Sequence, residues 1–118
     1  MLDNKIKILD NKISSKYTLV GRGRNRSGYA ISPYSILKVP TTQEGLFDNF
    51  IESKTFKEDG ERLARCKLIT IDGINCLLME RLDTNIPDDY EFPEWSYSID
   101  CFQVGFDRKG VLKAYDYA

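Results

Sequence analysis

The sequence predicts an α+β fold: a mostly antiparallel sheet with one main helix and a C-terminal β-hairpin. Three observations carry that expectation. Short β-prone runs recur along the chain. Two turn signals, Asp72-Gly73 and Asp107 to Gly110, join pairs of these runs. Only the stretch from Gln43 to about Lys57 is a long internal segment with apolar residues at helical spacing. At 118 residues the chain suits one small domain with a single core.

In chain order, residues 1–14 form a candidate N-terminal helix, because Leu2, Ile6, Leu9 and Ile13 fall on one helical stripe. The LDNKI segment occurs twice there, at Leu2–Ile6 and Leu9–Ile13. Tyr17 to Val39 reads as three strands. Gly21, Gly23 and Gly28 lie in the loop between the first two, and Ser32-Pro33 lies between the last two. Thr41 or Thr42 can cap the main helix, whose expected apolar stripe is Leu46, Phe47, Phe50 and Ile51. Those phenylalanines, with Phe56 and Trp95, are expected in the core. Cys66 to Ile71 and Ile74 to Glu80 form a hairpin around Asp72-Gly73. Arg81 to Pro93, with two prolines and four acidic residues, reads as a connector. Trp95 to Phe106 and Gly110 to Tyr117 read as the two strands of the hairpin within 94–118.

Composition narrows the chemistry. The absence of histidine excludes Ser-His-Asp and Cys-His nucleophiles and every histidine-ligated metal site. Cys66, Cys76 and Cys101 lack CxxC spacing and are expected as free thiols, as in a reducing cytoplasm. A net charge of −1 gives no global attraction to nucleic acid or anionic membrane. No apolar run approaches the roughly 20 residues of a membrane span.

The stretch Val20 to Pro40, VGRGRNRSGYAISPYSILKVP, is where chemistry concentrates. Glycines let backbone N–H groups approach a ligand, and Lys38 stands on a neighbouring strand. Glu52 on the following helix can partner Lys38. Leu77 to Glu80 resembles a strand entering a hinge, and Tyr115-Asp116-Tyr117 resembles the D-F-G metal motif. In this order the marks resemble the small lobe of a protein kinase, over residues 17–80. The layout of Tyr17 to Ala118 is similar to that of very short kinase-like proteins encoded by bacteriophages. That resemblance implies a truncated, pseudokinase-type domain. It assigns nucleotide binding, if retained, to Gly21, Gly23, Gly28, Lys38, Glu52 and Asp116, with Asp116 as magnesium ligand.

The departures set the functional expectation. Four residues separate Gly23 from Gly28, where the family has two. Counting back from Asp116, the metal-binding asparagine position holds Gln103 and the catalytic-base position holds Ser98. The chain to Ala118 has no room for a helical substrate lobe. No catalytic residue and no cofactor is therefore assigned, and the expected function is binding. Arg22, Arg24 and Arg26 form a cationic loop suited to a protein partner, with Tyr29 and Tyr34 as rim contacts. The resemblance implies a host or defence protein as that partner and the host cytoplasm as the setting. Two alternatives stay open. One is a minimal nucleotide-binding protein or phosphotransferase that takes ATP and magnesium and uses Lys38, Glu52, Asp100 and Asp116. The other is a nucleic-acid module using the arginine loop, disfavoured by the −1 charge.

Overall fold

The computed structural model describes residues 1–58, 60–99 and 103–117. Helix α1 (Leu2–Ser14) precedes β1 (Thr18–Arg22), β2 (Arg26–Ser32) and β3 (Ser35–Pro40). Helix α2 (Gln43–Glu58) follows, then β4 (Cys66–Ile71) and β5 (Ile74–Glu80). These five strands form one sheet in the order β1-β2-β3-β5-β4, and every pairing is antiparallel. A short 3-10 helix (Glu94–Ser98) leads to a separate two-stranded hairpin, β6 (Val104–Phe106) and β7 (Leu112–Ala114). The architecture is α+β, as the turn signals predict. Asp72 and Gly73 both take positive φ (51° and 78°), the conformation a two-residue hairpin turn demands. Gly110, at φ 82°, closes the second turn.

Alternation along the strands divides the sheet into two faces. One carries Tyr29, Leu37, Val39 and Cys76, and α1 covers it with Ile6, Leu9 and Ile13. The helical stripe read from the sequence is thus the buried one, save that Leu2 is exposed. The opposite face carries Lys38, Leu77 and Met79, and Tyr115 and Tyr117 of the C-terminal segment pack against the last two. The small hairpin has its own core of Val104, Leu112 and Ala114, with Tyr90, Phe92, Trp95 and Phe106 packed around it. Backbone bonds between Asp83 and Phe106 and from Ala64 N–H to the Ala114 carbonyl fasten it to the sheet. Lys113 adds ion pairs to Glu80 at 3.0 Å and Asp107 at 2.9 Å.

Three expectations change. The buried face of α2 carries Gly45, Asn49, Glu52 and Ser53, while Phe47 and Phe50 are 63% and 52% exposed. Polar demand outranks the apolar stripe. The Asn49 amide donates to the carbonyls of Lys38 (3.4 Å) and Asn75 (3.1 Å) and so ties the helix to the sheet. Gly45 permits the close approach, since a Cβ there would lie 2.9 Å from Pro40 Cβ and against the Asn25 carbonyl. Second, the segment at Trp95 is 3-10 helix and not strand. The Ser96 and Ser98 hydroxyls donate to the carbonyls three residues back, Pro93 and Trp95, and hold a turn. Third, the glycine loop is tighter than its composition suggests. Strand pairing continues to Gly21↔Gly28 and Arg22↔Ser27, leaving only residues 23–25 outside the strands.

Candidate functional site

Strand alternation places Arg26 and Gly28 of β2 on the same face as Lys38 of β3, with Gly28 directly opposite Lys38. Glu52 of α2 points to the same spot. Its carboxylate is fully buried and accepts from Lys38 Nζ at 2.7 Å, Arg26 Nη1 at 2.6 Å and the Tyr117 amide at 2.5 Å. Lys38 Nζ also donates to the Tyr115 carbonyl at 2.6 Å. Arg26 reaches on through Nη2 to Asp116 at 3.1 Å and donates through Nη1 to Asn49 Oδ1 at 3.2 Å. Two cations and two carboxylates therefore close one network that ties β2, β3 and α2 to the C-terminal segment.

Electrostatics follow from burial and neighbours. For Glu52, burial alone pushes the carboxyl up, but Lys38 and Arg26 more than offset it and hold it below the ordinary carboxylate range. Burial lowers Lys38, and the nearby Arg26 charge adds to that; together they outweigh the pull of Glu52. Arg26 is raised: burial opposes its charge, but Glu52 and Asp116 prevail. Asp116 is raised by its burial and by the Glu52 charge beside it.

The network forms one wall of a cleft of about 600 Å³ under the β1–β2 hairpin. Gly21, Gly23 and Gly28 line it from above, Lys38 and Asp116 from within, and Arg81 and Leu82 from the segment after β5. All six residues assigned to nucleotide binding thus gather at one place: five line the cleft, and Glu52 lies directly behind Lys38. Gln103 also lines it. Ser98 does not; it is exposed, and its hydroxyl is committed to the Trp95 carbonyl. Asp100, the carboxylate available to replace it, lies outside the described residues, as does Cys101.

The partner-contact residues divide. Arg22 and Arg24 are exposed, with Arg22 within 3.7 Å of Asp10. Tyr34 is exposed and stacks under Arg108, whose guanidinium carbon lies 4.0 Å from the ring centre. Arg26 and Tyr29 do not belong to that surface. Arg26 points inward into the network with only a tenth of its side chain exposed. Tyr29 is fully buried under α1, its hydroxyl donating to Asp10 at 2.6 Å. For Arg26 the error is to treat the loop as irregular, whereas strand geometry runs through it; for Tyr29 it is to place the residue in a strand without assigning its face. Counting by twos from Gly28 would have put Arg26 beside Lys38 and turned Tyr29 to the opposite face. The Tyr115 carbonyl and the Tyr117 amide had no such signal, because any residue supplies those groups.

Comparison with known proteins finds nothing similar: no family model, no curated protein and no solved structure matches the chain. Among the described residues, no helix is long and apolar enough to cross a membrane.

Proposed function

We propose that this chain is a non-catalytic, kinase-like binding protein that engages and modulates another protein, in the phage setting a host or defence protein in the host cytoplasm. The pairing of Lys38 with Glu52 beside Asp116, under a glycine-bearing hairpin, supports the kinase-like plan. One observation carries the loss of catalysis. Arg26 sits between Glu52 and Asp116 and neutralises both, so the carboxylate that would hold a metal is already engaged by a guanidinium. Phosphoryl transfer needs metals on the phosphates and a base on the attacking hydroxyl. Here the base position that the resemblance gives holds Ser98, which does not line the cleft and whose hydroxyl is committed to the Trp95 carbonyl. Arg22 and Arg24, with Tyr34, are the polar contacts offered to the partner, and the exposed Phe47 and Phe50 offer apolar area on α2. With Arg26 withdrawn, the loop presents too few free guanidiniums to make nucleic acid the better target.

A kinase assay with labelled ATP, magnesium or manganese and generic protein substrates should show no transfer. Transfer that disappears in Lys38→Met would overturn the reading. Capture of a defined partner that is lost in an Arg22→Ala/Arg24→Ala variant would support the binding role. A second reading, retained nucleotide binding without transfer, is favoured by the cleft itself, because glycine backbone, lysine and acidic residue all line one volume.

A further inference from the structure

The cleft has two chemically different ends. Val20, Ile36 and Met79 make an apolar patch: Ile36 pairs with Met79 across β3 and β5, and both Ile36 and Val20 close on Gly28. Lys38 follows Ile36 by two residues on the same face, about 6.6 Å along the strand. Beyond it the lining is cationic. Five cationic side chains, among them Arg24, Arg26 and Arg81, face only three carboxylates, on a chain whose overall charge is −1. Arg24 and Arg81 have no side-chain partner among the described residues.

The network also holds donors in reserve. Arg26 uses three of its five N–H groups, on Asn49, Glu52 and Asp116. Lys38 uses two of its three, on Glu52 and the Tyr115 carbonyl. Asp116 is the loosest member, with 41% of its side chain exposed and a single hydrogen-bonded cation. An apolar slot beside a cationic floor with spare donors suits a flat group that carries a polyanion. Among the described residues, no three acidic, histidine or cysteine side chains converge to hold a metal ion.

We propose that the cleft binds a nucleoside polyphosphate as the free anion, with Arg26 and Arg24 supplying the positive charge that a divalent cation would otherwise bring. This rests on the second reading above. The base occupies the Val20–Ile36–Met79 patch. The phosphates lie against Lys38 and Arg26 and compete with Asp116 for the guanidinium. A divalent cation has no role in that arrangement: of the three lining carboxylates Asp116 is held by Arg26, Glu80 by Lys113, and Asp48 accepts from the Asn25 amide, and a cation would mask the phosphate charge that the arginines read.

Calorimetric titration of the full chain with ATP, once in EDTA and once in excess magnesium, tests this directly. The expected result is binding in EDTA at least as tight as in magnesium. Asp116→Asn should tighten the EDTA affinity about fivefold by removing the competing charge, and Arg24→Ala should weaken it about fivefold. Both positions are exposed enough to spare the fold, and thermal unfolding of each variant verifies that. Inorganic tripolyphosphate, which has no base for the apolar patch, should bind at least about tenfold more weakly than ATP. Equal affinity for tripolyphosphate would overturn the nucleoside assignment. Binding seen only with magnesium, or abolished by Asp116→Asn, would overturn the metal-free site while leaving the non-catalytic reading standing. No binding in either buffer would overturn the inference, again without touching partner capture. Phosphoryl transfer in the kinase assay would end the non-catalytic reading instead.

Discussion

Glu52→Ala is the sharpest perturbation the network allows. The substitution removes the acceptor shared by Arg26, Lys38 and the Tyr117 amide, all within 2.7 Å of the carboxylate. Glu52 is fully buried, and the side chains of Arg26 and Lys38 are only 10% and 11% exposed, so water does little to replace it. Deleting one partner of a buried ion pair costs ~3–5 kcal/mol. The stranded amide adds ~1–3 kcal/mol. These overlap, because the freed cations can relax toward the cleft, so about 4 kcal/mol is the expected loss. A chain of 118 residues has about 6–18 kcal/mol of stability in total. At roughly 4 °C per kcal/mol for this size, the melting temperature should fall by about 15 °C. Asp116→Ala is the internal control. It is 41% exposed, and Arg26 retains Glu52 and Asn49 after its removal. Its cost should stay near 1 kcal/mol or below, about as for a surface pair. Circular dichroism melts at neutral pH read both values. If the two variants fall within about 1 kcal/mol of each other, Glu52 is not the shared anchor and the account of the network fails. Replacing the pair together, as Lys38→Met/Glu52→Leu, should recover only the part due to the stranded lysine, because Arg26 and the Tyr117 amide still lack their shared acceptor.

Other consequences are checked by the same unfolding measurements. Tyr29→Phe should lower the urea midpoint by an amount equivalent to ~1–2 kcal/mol without changing the m-value, since it removes only the 2.6 Å bond to Asp10. A neutral result would mean that the hydroxyl is not buried against that carboxylate. Phe47→Ala and Phe50→Ala should each change stability by less than ~0.5 kcal/mol, because both rings lie outside the core. Losses of ~3–5 kcal/mol would restore the apolar stripe to the interior and contradict the orientation of α2. The pH dependence has a defined sign. Glu52 titrates below its unfolded value, so its contribution is full above ~4.3 and is lost as pH falls through its lower folded value. Asp107 is also depressed: burial opposes, but the Val111 amide, Lys113 and the Lys109 amide outweigh it, so it acts in the same direction. Asp116 is raised and acts oppositely, favouring the folded state as pH falls through its folded value. Urea midpoints should therefore hold down to about pH 4.5 and drop below it, and Glu52→Gln should flatten that drop. An unchanged acid limb in Glu52→Gln would refute the assignment.

What the sequence determined alone was whatever depends on local backbone geometry and a fixed period. Asp72-Gly73 can adopt two successive positive φ angles, so the β4–β5 hairpin was legible before any packing was known. The 4, 3, 4 spacing from Leu2 to Ile13 marked the buried side of α1. Glu52 on the following helix was legible as a carboxylate able to partner Lys38, and the two meet at 2.7 Å. Only the tertiary structure decided where competing demands met. On α2, four apolar residues formed the stronger pattern, yet Asn49 and Glu52 face inward, because carbonyls and cations already buried there need partners more than Phe47 and Phe50 need shelter. Arg26 looked like one of three equivalent loop arginines until the register turned it toward Glu52 and Asp116. The physical reason is the same in both cases. The free energy of a buried charge is set by which oppositely charged group lies within 3 Å or so of it, and that distance is a property of strands and helices brought together from positions 26, 38, 52 and 116, not of any one of them.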